Sequence, residues 1–402
     1  MTNLPQGWKM ETLGEILSSD KYSIKRGPFG SALKKSFFVE KGIRIFEQYN
    51  PINNDPHWKR YFISHEKFQE LEAFKATEGD LLISCSGTLG KIVELPKDTE
   101  MGIINQALLK IRLNNIKILN SYFIYYFNSP IMQEKILEST LGSAIKNIAS
   151  VKILKQIEIP LPPLKKQERI VGILDESFAK IDESIKILEQ NLLNLDELMQ
   201  SALQKAFNPL KDNAKENYKL PQSWEWKSLE EISENISAGG DKPKNCTESK
   251  TAKNQIPVYA NGVNNNGLVG YTDKATIIKP SLTISARGTI GFVCIRKEPY
   301  FPIVRLISLI PCENILCLHY LYFCLNFFIA KGEGSSIPQL TIPKFKSLQI
   351  PLPPLKEQEQ IAKHLDFVFE KTKALKELYT KELKDYEELE QSLLNKAFKG
   401  EL

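Results

Sequence analysis

IPLPPLKKQERIVGILDESFAKID begins at Ile159, and IPLPPLKEQEQIAKHLDFVFEKTK begins at Ile350. The offset of 191 residues holds to the end of the segment, where QSALQKAF (200–207) meets QSLLNKAF (391–398). Of 49 ungapped positions 23 are identical, so the chain is a tandem repeat. Pro162-Pro163 and Pro353-Pro354 are extended breakers that let a helix start directly after them, and Glu168 and Glu359 suit its positive N-terminal end. Apolar residues then recur at Leu174, Phe178, Ile181, Ile185, Leu188, Leu192, Leu195 and Met199, the 4-3-4-3 spacing of a heptad seam. The second tail offers Ile361, Leu365, Val368, Thr372, Leu375, Tyr379, Tyr386, Leu389 and Leu393, with Glu382 where an apolar residue is expected. At ~1.5 Å per residue each helix reaches ~60 Å. Two matching seams in one chain pack most simply as an antiparallel coiled coil with pseudo-twofold symmetry.

Outside the tails the repeat is looser. LPQGWKMETLGEI (4–16) matches LPQSWEWKSLEEI (220–232), and ISCSGTLG (83–90) matches ISARGTIG (284–291). YFIYYFN (122–128) resembles YLYFCLN (320–326), and GSAIKNI (142–148) resembles GSSIPQL (334–340). The offsets drift from 216 through 201 and 198 to 192, so the connecting loops differ in length. Short β-like runs punctuated by glycine, with buried helical stretches near 119–128 and 317–326, read as mixed α/β. The expected class is α+β: a domain over 1–158, a helix over 159–207, a polar linker over 208–218, a second domain over 219–349 and a second helix over 350–402.

Composition narrows the function. The 402 residues are 42% hydrophobic and 25% charged, ordinary for packed domains and unlike a disordered chain. The longest nearly apolar run, residues 320–330, is half of the ~20 that a membrane span needs, and the N-terminus shows no signal-peptide core. Six cysteines without CxxC spacing and four scattered histidines frame neither disulfides nor zinc, which fits a cytoplasmic protein. The net charge of +5 divides unevenly. Residues 1–158 carry 21 basic and 17 acidic groups, 159–207 carry 6 and 8, 208–349 carry 17 and 12, and 350–402 carry 9 and 11. The two large segments are therefore net positive by four and five, the helices net negative by two each, a pattern that favours a polyanion at the domains.

Catalytic signatures are sparse. Gly87-Thr-Leu-Gly90 and Gly288-Thr-Ile-Gly291 could cradle a phosphate, but no Gly-Lys-Ser/Thr follows, and a tight turn between strands is the better account of them. Asp241, Glu248 and Lys250 imitate the spacing of metal-dependent nucleases without the apolar strand that would hold such a site. No Asn-Pro-Pro-Tyr/Phe run is present for base methylation. Basic and amide residues in Gly/Pro/Asn-rich loops remain: Lys25, Arg26, Lys34, Lys35, Lys59, Arg60, Lys242, Lys244, Asn264, Asn265 and Arg287. Lys and Arg pair with phosphates, and Arg, Asn and Gln read purine edges, so these are the candidate DNA contacts; singly, each also reads as a solvated surface group.

Two variable α/β halves, each followed by P-L-P-P-L-x-x-Q-E-x-I and a heptad helix ending L-x-K-A-F, resemble the specificity subunit of type I restriction–modification systems. The resemblance implies a DNA-reading subunit without catalysis of its own, each variable half a target recognition domain for half of a split sequence. It implies helices that set the spacing and dock two modification (methyltransferase) subunits, which restriction (motor-nuclease) subunits then join. AdoMet, ATP and Mg²⁺ would belong to those partners, and no membrane is involved. The residues alone leave open a fused nuclease or methyltransferase, and a coiled-coil protein adaptor.

Overall fold

The two ends of each repeat meet in a short antiparallel ladder. Lys9–Thr12 pairs with Glu158–Leu161, and Glu225–Ser228 pairs with Gln349–Leu352, with Thr12 opposite Glu158 and Ser228 opposite Gln349. A one-turn helix follows the first strand of each ladder. Its N3 carboxylate reaches back to the cap, Glu15 accepting from Thr12 N at 2.7 Å and Glu231 from Ser228 N at 2.8 Å. Leu13 and Ile16, and Leu229 and Ile232, are thereby fully buried, which is why the L-x-x-I pattern recurs. A computed structural model describes residues 5–138, 148–207, 221–329, 332–333 and 340–402; the expected linker at 208–218 and all but the ends of the GSAIKNI/GSSIPQL match lie outside them.

Each half then builds the same four-stranded antiparallel sheet. The strand order is Ile24–Arg26, Leu108–Ile111, Leu81–Ser84, Ile92–Glu94 in one, and Ser233–Ala238, Ile307–Pro311, Ser281–Ile284, Val293–Arg296 in the other. A buried helix backs each: Asn120–Asn128 with Tyr122, Phe123, Tyr126 and Phe127, and Leu318–Phe328 with Tyr320, Leu321, Phe323 and Leu325. The second sheets differ. The first half forms five strands, ordered Phe38–Val39, Phe62–Ile63, Ile43–Phe46, Gly102–Ile104, Lys75–Ala76. The second half forms three, ordered Leu268–Thr272, Ile256–Tyr259, Phe301–Pro302.

Two long helices, Leu164–Phe207 and Leu355–Lys399, run unbroken through the tails. By its contacts the chain divides within them: one unit is the chain up to Leu188 together with Lys381–Leu402, the other Glu189–Thr380. Each unit thus combines one α/β domain, the start of that domain's own helix and the end of the other helix. In the first unit Phe398 packs on Tyr122 and Tyr126, with ring centroids 5.4 and 5.1 Å apart. In the second, Phe207 packs on Tyr320 at 5.8 Å and Phe327 at 5.5 Å. The K-A-F ending is a plug for the domain of the opposite repeat, and in both units the helix segments that meet run antiparallel.

The Q of P-L-P-P-L-x-x-Q is a buried clasp. The Gln167 side chain accepts from Leu119 N and donates to the carbonyls of Lys117 and Pro162, all at 2.9 Å. Gln358 repeats this with Cys317 N at 2.9 Å and the carbonyls of Ile315 and Pro353 at 2.9 and 2.8 Å. Both glutamines are fully buried, so all three bonds replace water that the backbone groups have lost. Tyr122 and Tyr320 donate to the carbonyls of Pro160 and Pro351 at 2.7 and 2.8 Å. The repeated aspartates bond the domain helices as well, Asp175 accepting from the Tyr125 hydroxyl and Asp366 meeting His319 Nδ1 at 2.7 Å.

On the first helix Leu174, Ile181, Leu188 and Leu195 are buried, with Phe178, Ile185 and Leu192 half-buried between them. The second helix corrects the expected seam. Leu365 is buried and Val368 and Tyr379 are half-buried, but Leu375 and Leu389 are 38% and 44% exposed. The inward positions are Leu365, Phe369, Thr372, Lys376, Tyr379, Leu383, Tyr386 and Glu390, each buried or half-buried. They are the first seam displaced by the repeat offset of 191. Phe369 packs on Phe323 at 5.2 Å as Phe178 packs on Tyr125 at 5.5 Å. Glu382 is exposed because the seam passes through Leu383.

Candidate nucleic-acid interface

In the first unit the loop over residues 53–60 is a built structure. Arg44, 2% exposed, donates to the carbonyls of Pro56 and Trp58 at 2.9 and 2.7 Å. Buried Asn50 donates to the carbonyls of Asp55 and Trp58 at 2.9 and 3.0 Å. Asp55 accepts from the backbone of His57 and Trp58, both at 3.0 Å, and Trp58 stacks on Tyr49 at 4.3 Å. Burial holds the Arg44 guanidinium below its usual range without discharging it. This frame holds Lys59 and Arg60 in the solvent. Arg60 lies over Tyr61 at 4.7 Å, whereas Lys59 is taken up by Glu100 at 2.7 Å, whose carboxyl it lowers. A phosphate at Lys59 would have to displace that carboxylate.

The remaining candidates of this unit divide by exposure. Lys34 and Lys35 are exposed around a single 3₁₀ turn, Lys35–Phe37. Lys25 and Arg26 are half-buried in a sheet strand. Lys25 lies over Tyr22 and Phe74 at 5.4 and 5.2 Å, and Arg26 donates to the Cys85 carbonyl at 3.4 Å and lies over exposed Phe29 at 5.6 Å.

In the second unit Lys242 and Lys244 are exposed at the start of a long loop. Asn254, 6% exposed, fastens that loop by donating to Asn245 O at 2.6 Å, and Thr247 exchanges backbone bonds with Tyr271 at 2.9 and 2.7 Å. Asn264 and Asn265 are exposed in the turn Asn264–Gly267, where Asn265 and Asn266 both adopt left-handed backbone. Arg287 sits half-buried before Gly288.

The two Gly-Thr-x-Gly stretches are matched turns. Gly87, Gly90, Gly288 and Gly291 have φ of 67, 69, 70 and 78°, a region glycine enters without a Cβ penalty. Gly90 N and Gly291 N donate back to Ser84 O and Ser285 O, both at 3.0 Å. Asp241, Glu248 and Lys250 are all exposed, and among the described residues no group of His, Cys, Asp or Glu is placed to hold a metal. Burial pushes the Cys85 thiol up to about 12 and raises Cys294 and Cys324, the opposite of an activated nucleophile. No helix among the described residues is long and apolar enough to cross a membrane.

The family described as the type I restriction modification DNA specificity domain matches residues 5–193 and 221–385. A Mycoplasma pneumoniae chain described as a type I specificity subunit, S.MpnORF507P, is 33% identical over 221 residues, 54% of this chain and 56% of that one. The Methanocaldococcus jannaschii MjaVIII specificity subunit is 24% identical over 358 residues, 81% of this chain and 79% of its own. The fold is that of a chain solved in work on assembly and conformational transition of the type I R-M system, with a TM-score of 0.80 over all of both chains at 21% identity. It is also that of the HsdS subunit from Thermoanaerobacter tengcongensis, with a TM-score of 0.65 at 20% identity over 99% of this chain and 98% of that one. The two matched stretches cover the duplicated sheets, the ladders and most of both helices; the chain belongs to the type I restriction–modification DNA specificity family.

Proposed function

We propose that the chain is the sequence-reading, non-catalytic subunit of a type I restriction–modification complex, reading a bipartite double-stranded DNA target with one recognition domain per half-site. The carrying observation is a contrast. The glutamine clasp and the ladder are repeated bond for bond in both units and an aromatic plug recurs in each, while the second sheets have five strands and three. A common frame with two unequal readers suits two different half-sequences separated by an unread gap.

Two modification subunits would dock on the helices. Apolar side chains that the seams leave outside support this: Ile187 in the first unit, and Leu193, Leu198, Phe367 and Leu378 in the second, are 51–61% exposed. AdoMet, ATP and Mg²⁺ would be held by the modification and restriction subunits in the cytoplasm. The DNA face would include Lys34, Lys35, Arg60, Lys242, Lys244 and the Asn264–Asn265 turn, the candidates presented to solvent with no salt bridge to a carboxylate among the described residues.

The test is replacement of residues 1–158 by the corresponding domain of a relative, followed by reading the methylation motif in cells that also express the modification subunit. One half-site should change and the other persist. A change in both, or in neither, defeats the reading of one domain per half-site.

A further inference from the structure

The end of the four-stranded sheet that carries the Gly-Thr-x-Gly turn bears arginine in both units, but from different positions. In the first unit it is Arg26, opposite Leu109. The counterpart pairing, Ile307 opposite Ala238, leaves the second unit without that arginine. Two others stand there. Arg287 occupies the place of Ser86 in the ISCSGTLG/ISARGTIG match, and Arg305 the place of Ala107, two residues before the paired Leu109 and Ile307. Both line one cleft of about 400 Å³, walled by Ile307, Leu340 and Ile342. Among the described residues no acidic residue lines it and neither guanidinium has a side-chain partner.

Arg305 is held in place against its backbone preference. Val304 and Arg305 have φ of 53 and 59°, the left-handed region, an outlier for a β-branched valine. Strain of this kind persists where the surroundings over-determine it, and it concentrates at functional sites. Here Val304 N and Arg305 N donate to Gly240 O and Gly239 O, both at 2.8 Å. A Cβ on Gly239 would meet Ile303 N and Pro302 C at 2.6 Å, so the approach requires glycine. Asn261 donates to Val304 O at 2.6 Å and accepts from Ala286 N at 2.8 Å. One asparagine thus fixes both arginine-bearing segments.

We propose that this cleft holds a backbone phosphate of the DNA duplex; the assignment rests on the DNA-reading function above. A recessed site suits a phosphate, which projects from the duplex, whereas base edges lie on the groove floor and need a protruding side chain such as those of the Asn264–Asn265 turn. Two guanidinium forks, Arg305 exposed and Arg287 half-buried, match phosphate oxygens bidentately. The phosphate contact positions the second domain and carries no base information.

The test uses the full chain assembled with its modification subunit and a duplex carrying the methylation motif read from cells expressing both. Arg287→Ser installs the residue of the first domain, and Arg305→Gly removes the guanidinium while suiting the left-handed backbone. Each should weaken binding; the double variant, which gives up the one phosphate contact, should make the slope of log K against log[salt] shallower by ~0.9 and each single variant by no more than that, with the methylation motif unchanged. Unchanged affinity and slope in the double variant overturn the assignment. So does a motif relaxed at one base pair with an unchanged slope, which would make the arginines base readers. If the unaltered complex does not bind the duplex, the DNA-reading proposal falls first; if it binds and the variants match it, only the cleft assignment falls.

Discussion

The tail of each repeat and the second sheet of each domain evolve under opposite physical demands. Gln167 and Gln358 satisfy three buried backbone groups each, and any other side chain leaves at least one of them unpaired. The position therefore favours glutamine in both repeats. The second sheet has no equivalent constraint. Strands of two residues, such as Phe38–Val39 and Phe301–Pro302, keep a small core closed, and the loops between them are released to vary. Repeated polar burial marks the common frame, and the unmatched loops mark what differs between the two domains.

The largest break in that comparison should come from the plugs. Phe207 is fully buried in the second unit although its repeat belongs to the first domain. Phe207→Ala should cost about 3–5 kcal/mol. Hydrogen exchange should quicken across the second unit's strands 281–284 and 307–311 and leave 81–84 and 108–111 protected. Phe398→Ala should do the reverse. Equal loosening of both domains by either variant would contradict the division into units.

Next in size is the clasp. Gln358→Ala strands Cys317 N and two carbonyls in a buried site, at about 1–3 kcal/mol for a group left unsatisfied, partly relieved if water enters. A net loss of about 3 kcal/mol should appear as a lowered unfolding midpoint of the second unit. A variant as stable as the parent would show that the glutamine is replaceable and its recurrence accidental.

Legibility followed the same division. The tandem repeat and the long helices were readable because local spacing and burial agree there. The first seam was readable for that reason; the second was not, because Lys376 and Glu390 occupy inward positions while Leu375 and Leu389 attract attention from outside. The repeat offset held the answer, since Ile185 and Met199 displaced by 191 fall on Lys376 and Glu390. Gln167 stands in the repeated motif, yet a buried amide cannot be told from a surface one without its partners. The five- and three-stranded sheets join strands distant in sequence, including parallel pairs, which no local pattern announces. Arg305 lay in an unremarkable run, and only the pairing register sets it beside Arg287 in one cleft.

The smallest effect concerns the two charged seam positions, which the units treat differently. In the second unit Lys376 pairs with Asp196 across the helices, so its charge is answered. In the first unit Glu390 is half-buried, and burial, then Asp182 and Glu387, raise its carboxyl above the usual range. A carboxyl whose folded pKa lies above its unfolded value, about 4.3, binds its proton more tightly in the folded state. Its contribution therefore favours folding in acid and is lost as pH rises from the unfolded value through the folded one. Glu390→Met copies Met199, its counterpart on the first helix, and removes this loss. Because much of the side chain still meets water, the screened gain at pH 7 should stay at or below about 1 kcal/mol. It should shrink toward pH 4, where the parent carboxyl is protonated and only the added apolar contact distinguishes the two. Unfolding midpoints of parent and variant at the two pH values decide the matter. A gain equal at both would assign the whole effect to apolar packing, and a loss at pH 7 would mean that Glu390 answers a cation in the assembled seam.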